Sequence, residues 1–172
     1  MTKLRGGRMI KSTKSAWGLA VSSVIAGAVA AILLVGTAGA GSDSISGNFS
    51  SQQVSGPSCT SPVGLCTQGA LTGGLKSTFT FVATSLTATA DTPTTGVLQY
   101  TGDITMQAKS GSLLCKDSGA FQTTGMGAVS SVCAIVSGTG SFAGASGVIQ
   151  FVGTFTAASG GQGDYRGTIV TP

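Results

Sequence analysis

The segment GVLQYTGDITMQA, residues 96–108, decides the fold class. Its apolar side chains recur at alternate positions, and mostly polar side chains occupy the positions between them. A period of two residues indicates a β-strand with one buried and one solvated face. The following KSGS sequence, residues 109–112, predicts a hairpin into a strand over residues 113–116. The alternating apolar set is Leu98, Tyr100, Ile104 and Met106.

The preceding segment, residues 76–90, changes phase along its length. Phe79 and Phe81 lie on one parity, whereas Leu86 and Ala88 lie on the other. One extra residue in the strand would return both sets to the core, so the pattern predicts a β-bulge within residues 83–85. The DTPTTG sequence, residues 91–96, then supplies a connection through its Pro and Gly.

The rest of the chain after residue 57 also alternates strand-like segments with Gly- and Ser-rich turns, and it shows no helical periodicity. Seven or eight short sequential strands predict an all-β fold, a single antiparallel β-barrel of about eight strands, with a β-sandwich as the alternative. The further strands are expected over residues 64–71, 117–123, 129–137, 147–157 and 164–170.

Residues 1–40 have the pattern of a secretory signal, expected to form a signal helix. Basic residues without acids precede an uncharged apolar run over residues 19–35, and Ala38 and Ala40 provide the small side chains of a cleavage site. The pattern predicts cleavage after Ala40, with an uncleaved membrane anchor as the alternative. Met1 and Met9 both remain candidates for the true start. We therefore expect a secreted, periplasmic or cell-surface protein.

The chain after the signal divides into a short lead-in and one domain. Residues 41–57 are small and polar apart from Ile45, Phe49 and Val54, which predicts a flexible lead-in that adds at most an edge strand. Residues 58–172 are expected to hold the barrel. Beyond residue 40 only four Lys and Arg face five Asp, a net charge of −1. Nucleic-acid binding needs clustered cations, so that class of function is excluded.

All four cysteines follow the signal, and an even count in a small exported domain favours disulfides. Three pairings are open; the shorter local closures, Cys59–Cys66 and Cys115–Cys133, are favoured. A zinc site is disfavoured because the chain has no histidine and no C-x-x-C spacing. We expect no metal and no cofactor.

Residue types for catalysis are scarce, since the sequence holds neither histidine nor glutamate. Asp103 and Asp164 lie on the polar parity of their strands, and Asp117 follows a predicted hairpin, so all three are expected at the solvated surface. Tyr100 and Tyr165 are expected in the core, with their hydroxyls hydrogen-bonded. The sequence thus predicts no catalytic residue, and enzymatic activity is not favoured.

A glycine-rich segment joins the last predicted strands. Gly138, Gly140, Gly144 and Gly147 surround Phe142, which predicts a compact structural turn whose phenylalanine closes the end of the core. A ligand-contacting loop is the alternative.

Three motifs in the C-terminal third carry a family resemblance: GTGSFAGASG at 138–147, FxGTF at 151–155 and YxGTI at 165–169. Together with residues 96–103 and 109–113, they resemble the allene oxide cyclase barrel-like group, which includes plant dirigent proteins and small secreted bacterial proteins. The resemblance covers residues 64–170. It implies a calycin-like barrel of about eight strands, a lumen for a small apolar molecule, and a trimer.

Three classes of function remain. The first is an exported barrel that binds a small apolar ligand without catalysis or has a structural, surface role. The second is a dirigent- or cyclase-like enzyme that guides cyclisation or coupling of an apolar substrate. The third is an envelope-associated adhesive module. Scarcity of ionisable groups favours the first.

Overall fold

The computed structural model describes residues 41–172, which form one closed antiparallel barrel of eight strands in chain order. The predicted barrel is confirmed, and the sandwich alternative is wrong. The signal helix, Ala38 and Ala40 lie outside the described residues. The strands are β1 Gly41–Val54, β2 Cys66–Gly73, β3 Ser77–Ala88, β4 Val97–Ala108, β5 Gly111–Gln122, β6 Ala128–Gly138, β7 Ser146–Thr156 and β8 Gly160–Thr171.

The β4–β5 hairpin shows how the pattern forms the barrel wall. Tyr100, Gly102, Ile104 and Met106 are buried, and the residues at the alternate positions between them are exposed or half-buried. β5 continues without interruption to Gln122, so the two segments expected at 113–116 and 117–123 are one strand. Along β5, the inward positions are the odd-numbered ones from Leu113 to Phe121.

The expectation of a flexible lead-in is wrong. β1 is the longest strand, and it is hydrogen-bonded to β2 on one side and β8 on the other, so it closes the barrel. Ile45 and Phe49 are buried because their spacing of four residues places both on the inward face. The domain therefore begins before residue 58.

The predicted bulge in β3 is confirmed. The register with β4 shifts between Ala83 and Ser85, leaving Thr84 as the extra residue. The shift places Leu86 opposite Tyr100 on the inward side, although Leu86 remains 37% exposed near the end of its strand, so it does not rejoin the core. A second irregularity, which the sequence did not predict, lies beside Leu114 and Cys115.

Several inward aromatic rings lie over inward glycines of the neighbouring strand. A Cβ on Gly119 would lie 2.8 Å from Tyr100 Oη, and one on Gly163 would lie 2.8 Å from Cε1 of Phe49. Phe79 and Gly69 are also directly opposite each other, with the ring 2.9 Å from such a Cβ. The absent side chains of these three glycines thus make room for rings inside a narrow barrel.

Both favoured disulfides are present. Cys59–Cys66 fastens the β1–β2 connection to the start of β2, and Cys115–Cys133 joins β5 to β6 inside the barrel. Cys115 and Cys133 are fully buried. Sequence separations of 7 and 18 make each a local closure, as expected.

The two ends of the barrel differ. We call the end where β5 begins the lower end and the end where β5 finishes the upper end. The glycine-rich turn connects β6 to β7 at the lower end; Gly140, Gly144 and Gly147 have positive φ, and a Cβ on Gly138 would collide with Phe142. Phe142 packs partly buried against the core. The segment forms a compact turn at the lower end of the barrel.

Candidate functional site

The upper half of the barrel interior is an incompletely filled chamber lined mainly by aromatic rings. Its cavity has a volume of about 80 Å³. A cavity needs roughly 10–15 Å³ to hold one water molecule, so this chamber has room for a small molecule. We call it the aromatic cup. Of the seven phenylalanines in the chain, six line it: Phe49, Phe79, Phe81, Phe121, Phe151 and Phe155.

Five polar side chains also line the cup: Ser51 and Thr67, and a group of three from neighbouring strands, Tyr100 on β4, Asp117 on β5 and Ser131 on β6. Tyr100 and Ser131 each lie opposite Gly119, two residues beyond Asp117 on the same face of β5. A Cβ on Gly119 would stand 2.5 Å from Ser131 Cβ and 2.8 Å from Tyr100 Oη. The glycine therefore lets the tyrosine and serine approach each other beside the carboxyl group.

Asp117 is the unusual member of this group, because its carboxyl group is enclosed by apolar walls. The residue is 4% exposed, and its Oδ1 atom has no hydrogen-bond partner among residues 41–172. Burial raises the pKa of Asp117 to about 6, and the nearby Ser131 and Tyr100 hydroxyls offset only part of that rise. Near neutral pH the carboxyl group is mainly ionised, yet incompletely compensated.

Tyr100 is affected in the same direction. Burial, and then the negative charge of Asp117, raise the pKa of the Tyr100 phenol above its ordinary value. The phenol therefore stays protonated at physiological pH and keeps its O–H available as a donor. Tyr100 also packs edge-on against Phe81, with ring centroids 5.5 Å apart.

The expectation that Asp117 is a surface charge is wrong. The sequence pattern was interpreted as two strands, over residues 113–116 and 117–123. Asp117 therefore was not recognised as lying on the same face of β5 as Leu113, Cys115 and Phe121. Carrying the alternation through the whole strand would have turned Asp117 inward. A buried acid on an otherwise apolar parity is the signal that sequence reasoning missed.

Asp103 and Asp164 lie on the outer wall, where they were expected. Lys116 donates hydrogen bonds to both carboxyl oxygens of Asp103, at 2.7 and 2.9 Å. Asp164 accepts a hydrogen bond from Asn48 at 2.6 Å. Neither carboxyl group is available to the cup.

Tyr165 is buried below the cup. Its Oη accepts a hydrogen bond from the Leu75 amide at 2.8 Å and donates to the Thr72 carbonyl at 2.9 Å. The hydroxyl is therefore satisfied by backbone, as expected for a core tyrosine. The glycine-rich turn is likewise separate from the lining of the cup.

Two disulfides in a small domain are compatible with an extracytoplasmic location. Within residues 41–172, no helix has the length and hydropathy needed to cross a membrane. The same part of the chain contains no group of three or more His, Cys, Asp or Glu residues placed to hold a metal ion.

Comparison with known proteins adds no relative to these observations. No protein-family model matches the chain, and no curated protein and no solved structure shows significant similarity to it.

Proposed function

We propose that this protein is an exported barrel that binds a small, mainly apolar molecule in the aromatic cup without transforming it. The observation that carries the proposal is the unequal filling of the interior. Lower-half side chains such as Met106 and Leu113 are about 1% exposed, whereas the upper half retains a cavity of about 80 Å³. Apolar concave chambers with a few polar groups are typical ligand sites.

The proposal includes export of the chain and removal of the signal after Ala40. The basic region, the apolar run and the Ala38–Ala40 site support it, together with disulfides that need an oxidising compartment. The intact mass of the exported protein is expected to begin at Gly41. Recovery of only full-length chain in the membrane fraction would contradict cleavage.

Native mass spectrometry of the purified protein tests ligand binding directly, because it detects a small molecule that co-purifies with the barrel. Titration with a fluorescent apolar dye gives a second readout. In the matched variants, Val129→Phe fills the cup from β6, whereas Val132→Phe adds the same ring to the exposed outer face of that strand. We expect V129F to lose dye and ligand while V132F retains both. Equal binding by both variants would place the ligand elsewhere and contradict the proposal.

A dirigent- or cyclase-like enzyme is the second candidate, and the Tyr100–Asp117 pair favours it. A neutral phenol beside a carboxyl group of pKa about 6 is a suitable arrangement for proton transfer to a bound substrate. The test is turnover of allylic epoxides or coupling of phenolic radicals by the wild type, Y100F and D117N. D103N, which alters only the outer wall, is the control. Wild-type activity that is lost in Y100F or D117N and kept in D103N would establish the enzyme and overturn the non-catalytic proposal.

A further inference from the structure

We propose that the aromatic cup selects small monoamines, with the protonated nitrogen donating to the Asp117 carboxylate and the apolar body lying among the phenylalanine rings. This inference rests on the proposed ligand binding and names the chemical class of the ligand. Two independent features of the cup carry it: an unpartnered buried acceptor, and aromatic walls around it.

The first feature is the Asp117 carboxylate, one of whose oxygens receives no hydrogen bond from residues 41–172. Asp117 Oδ1 has no hydrogen-bond donor within residues 41–172, although the side chain is almost fully buried. A buried carboxylate without a partner is costly, so a ligand that supplies donors to it gains correspondingly. Asp117 lines the cavity, so a ligand in the cup lies beside this residue.

The barrel itself supplies no positive charge to this carboxylate. The four Lys and Arg within residues 41–172 are all exposed, and the nearest along the strand, Lys116, pairs with Asp103 on the outer wall. The other ionisable group facing Asp117 in the cup is Tyr100, which is neutral at physiological pH. An ammonium group would therefore provide both the missing donor and the missing charge.

The walls suit a cation as well as a hydrocarbon. Phe81 with Tyr100, Phe49 with Phe151, and Phe121 with Phe155 are three edge-to-face pairs, with interplanar angles of 75°, 84° and 85°. Perpendicular rings present faces in different directions around the cavity. Cations are attracted to aromatic faces, and the attraction increases when water is excluded.

Size and charge limit the amine further. A dry cavity of about 150 Å³ accommodates benzene, so a chamber of about 80 Å³ encloses the aminoalkyl end of a ligand rather than a large ring system. A single carboxylate lines the chamber, so the second ammonium of a diamine has no counter-charge in the cup, and keeping that ammonium in water limits how far the chain can enter. A ligand carboxylate would be repelled by Asp117.

Calorimetric titration of the purified protein with hexylamine, 1-hexanol, hexanoate and 1,6-diaminohexane tests the inference, since the four share one chain length. At pH 7.5 we expect hexylamine to bind at least tenfold more tightly than 1-hexanol and the diamine, with hexanoate the weakest. D117N should lose most of the tenfold preference and still bind 1-hexanol, whereas D103N should behave as the wild type. Equal affinities for hexylamine and 1-hexanol, or a preference that survives in D117N, would overturn the amine assignment.

A pH series on the wild type gives a readout that does not depend on the folding of a variant. The affinity for hexylamine should fall as the pH decreases through about 6, where Asp117 gains a proton, while the affinity for 1-hexanol should change little. An amine affinity that is level from pH 7.5 to pH 5 would contradict the inference. If 1-hexanol binds in the cup but amines have no advantage, ligand binding stands and the amine class fails. If none of the four probes binds and no small molecule co-purifies, the proposed function itself fails.

Discussion

The two halves of the barrel interior place their buried tyrosines in different surroundings. In the lower half, the Tyr165 hydroxyl is hydrogen-bonded to backbone of Thr72 and Leu75, within closely packed aliphatic side chains. In the upper half, Tyr100 stands in the aromatic cup beside Asp117, whose Oδ1 has no hydrogen-bond partner within the barrel, residues 41–172. Ser77 Oγ at the lower end also lacks a partner among these residues, but a neutral hydroxyl carries no charge that needs compensation. From this difference we expect the lower half to contribute more to stability, and the proposed ligand site lies in the upper half.

The disulfides provide the largest expected contrast. Replacing Cys115 and Cys133 together with Ala should lower the free energy of unfolding by about 4 kcal/mol, because a cross-link and buried packing are both lost. Replacing Cys59 and Cys66 with Ser should cost about 2 kcal/mol, because that loop is shorter and Cys59 is only partly buried. Urea denaturation of both double variants measures the difference. A larger loss of unfolding free energy on removal of the Cys59–Cys66 disulfide would contradict the expectation that Cys115–Cys133 contributes more to stability.

Truncating one apolar side chain in each half sharpens the same comparison. Leu113→Ala should cost about 3 kcal/mol, since it opens a void in a filled region. Phe155→Ala should cost only about 1 kcal/mol despite the larger truncation, because its ring is partly exposed and already borders a cavity. Thermal and urea unfolding provide the two values. Equal losses would show that the cup is packed as firmly as the lower half.

Asp117 should make stability pH-dependent in a defined window. Its pKa is about 6 in the folded barrel against 3.8 ordinarily, so the folded state binds more protons than the unfolded state between these values. The contribution of Asp117 to stability therefore falls as the pH rises from about 4 to about 6, and this contribution does not change further above about pH 6. We expect D117N to gain on the order of 2 kcal/mol over the wild type across this range. A difference between the two that does not vary with pH would contradict the burial effect.

Removing the hydroxyl of each buried tyrosine should give the smallest difference in unfolding free energy between the two halves. Tyr165→Phe leaves the buried Leu75 amide without its acceptor and should cost about 1.5 kcal/mol. Tyr100→Phe removes a hydroxyl to which no backbone group of residues 41–172 is hydrogen-bonded, although it lies beside the Asp117 carboxyl group, and it should cost about 1 kcal/mol. Unfolding curves at pH 7.5 measure both. A larger loss from Y100F would mean that its hydroxyl is needed to hold the Asp117 carboxylate.

Much of the wall could be predicted from local patterns. The alternation in β4, the bulge at Ala83 and Ser85, and both disulfides follow from parity and short chain closures. These features depend on residues close in sequence, or on neighbouring strands, so the sequence carries enough information to place them.

The misplaced elements were those whose environment depends on distant strands. β1 is polar for most of its length, and it is ordered because β2 and β8 supply hydrogen-bond partners on both sides. Asp117 is buried because the ring of strands closes around it, although its immediate neighbour Lys116 is exposed. Local polarity predicted solvent in both cases. The closed sheet overrode it in β1, whereas the alternation along the whole of β5 already indicates an inward Asp117.

The sequence by itself determined most of the strands after residue 57, the inward face of β4 and the cysteines that lie near each other, because each is a consequence of two-residue periodicity and short loops. Only the tertiary structure decided that the barrel closes through β1, that aliphatic residues fill one half, and that six phenylalanines and one carboxylate leave a cavity in the other. The physical reason is that interior volume is shared among side chains from all eight strands, so no single segment of sequence determines how completely it is filled.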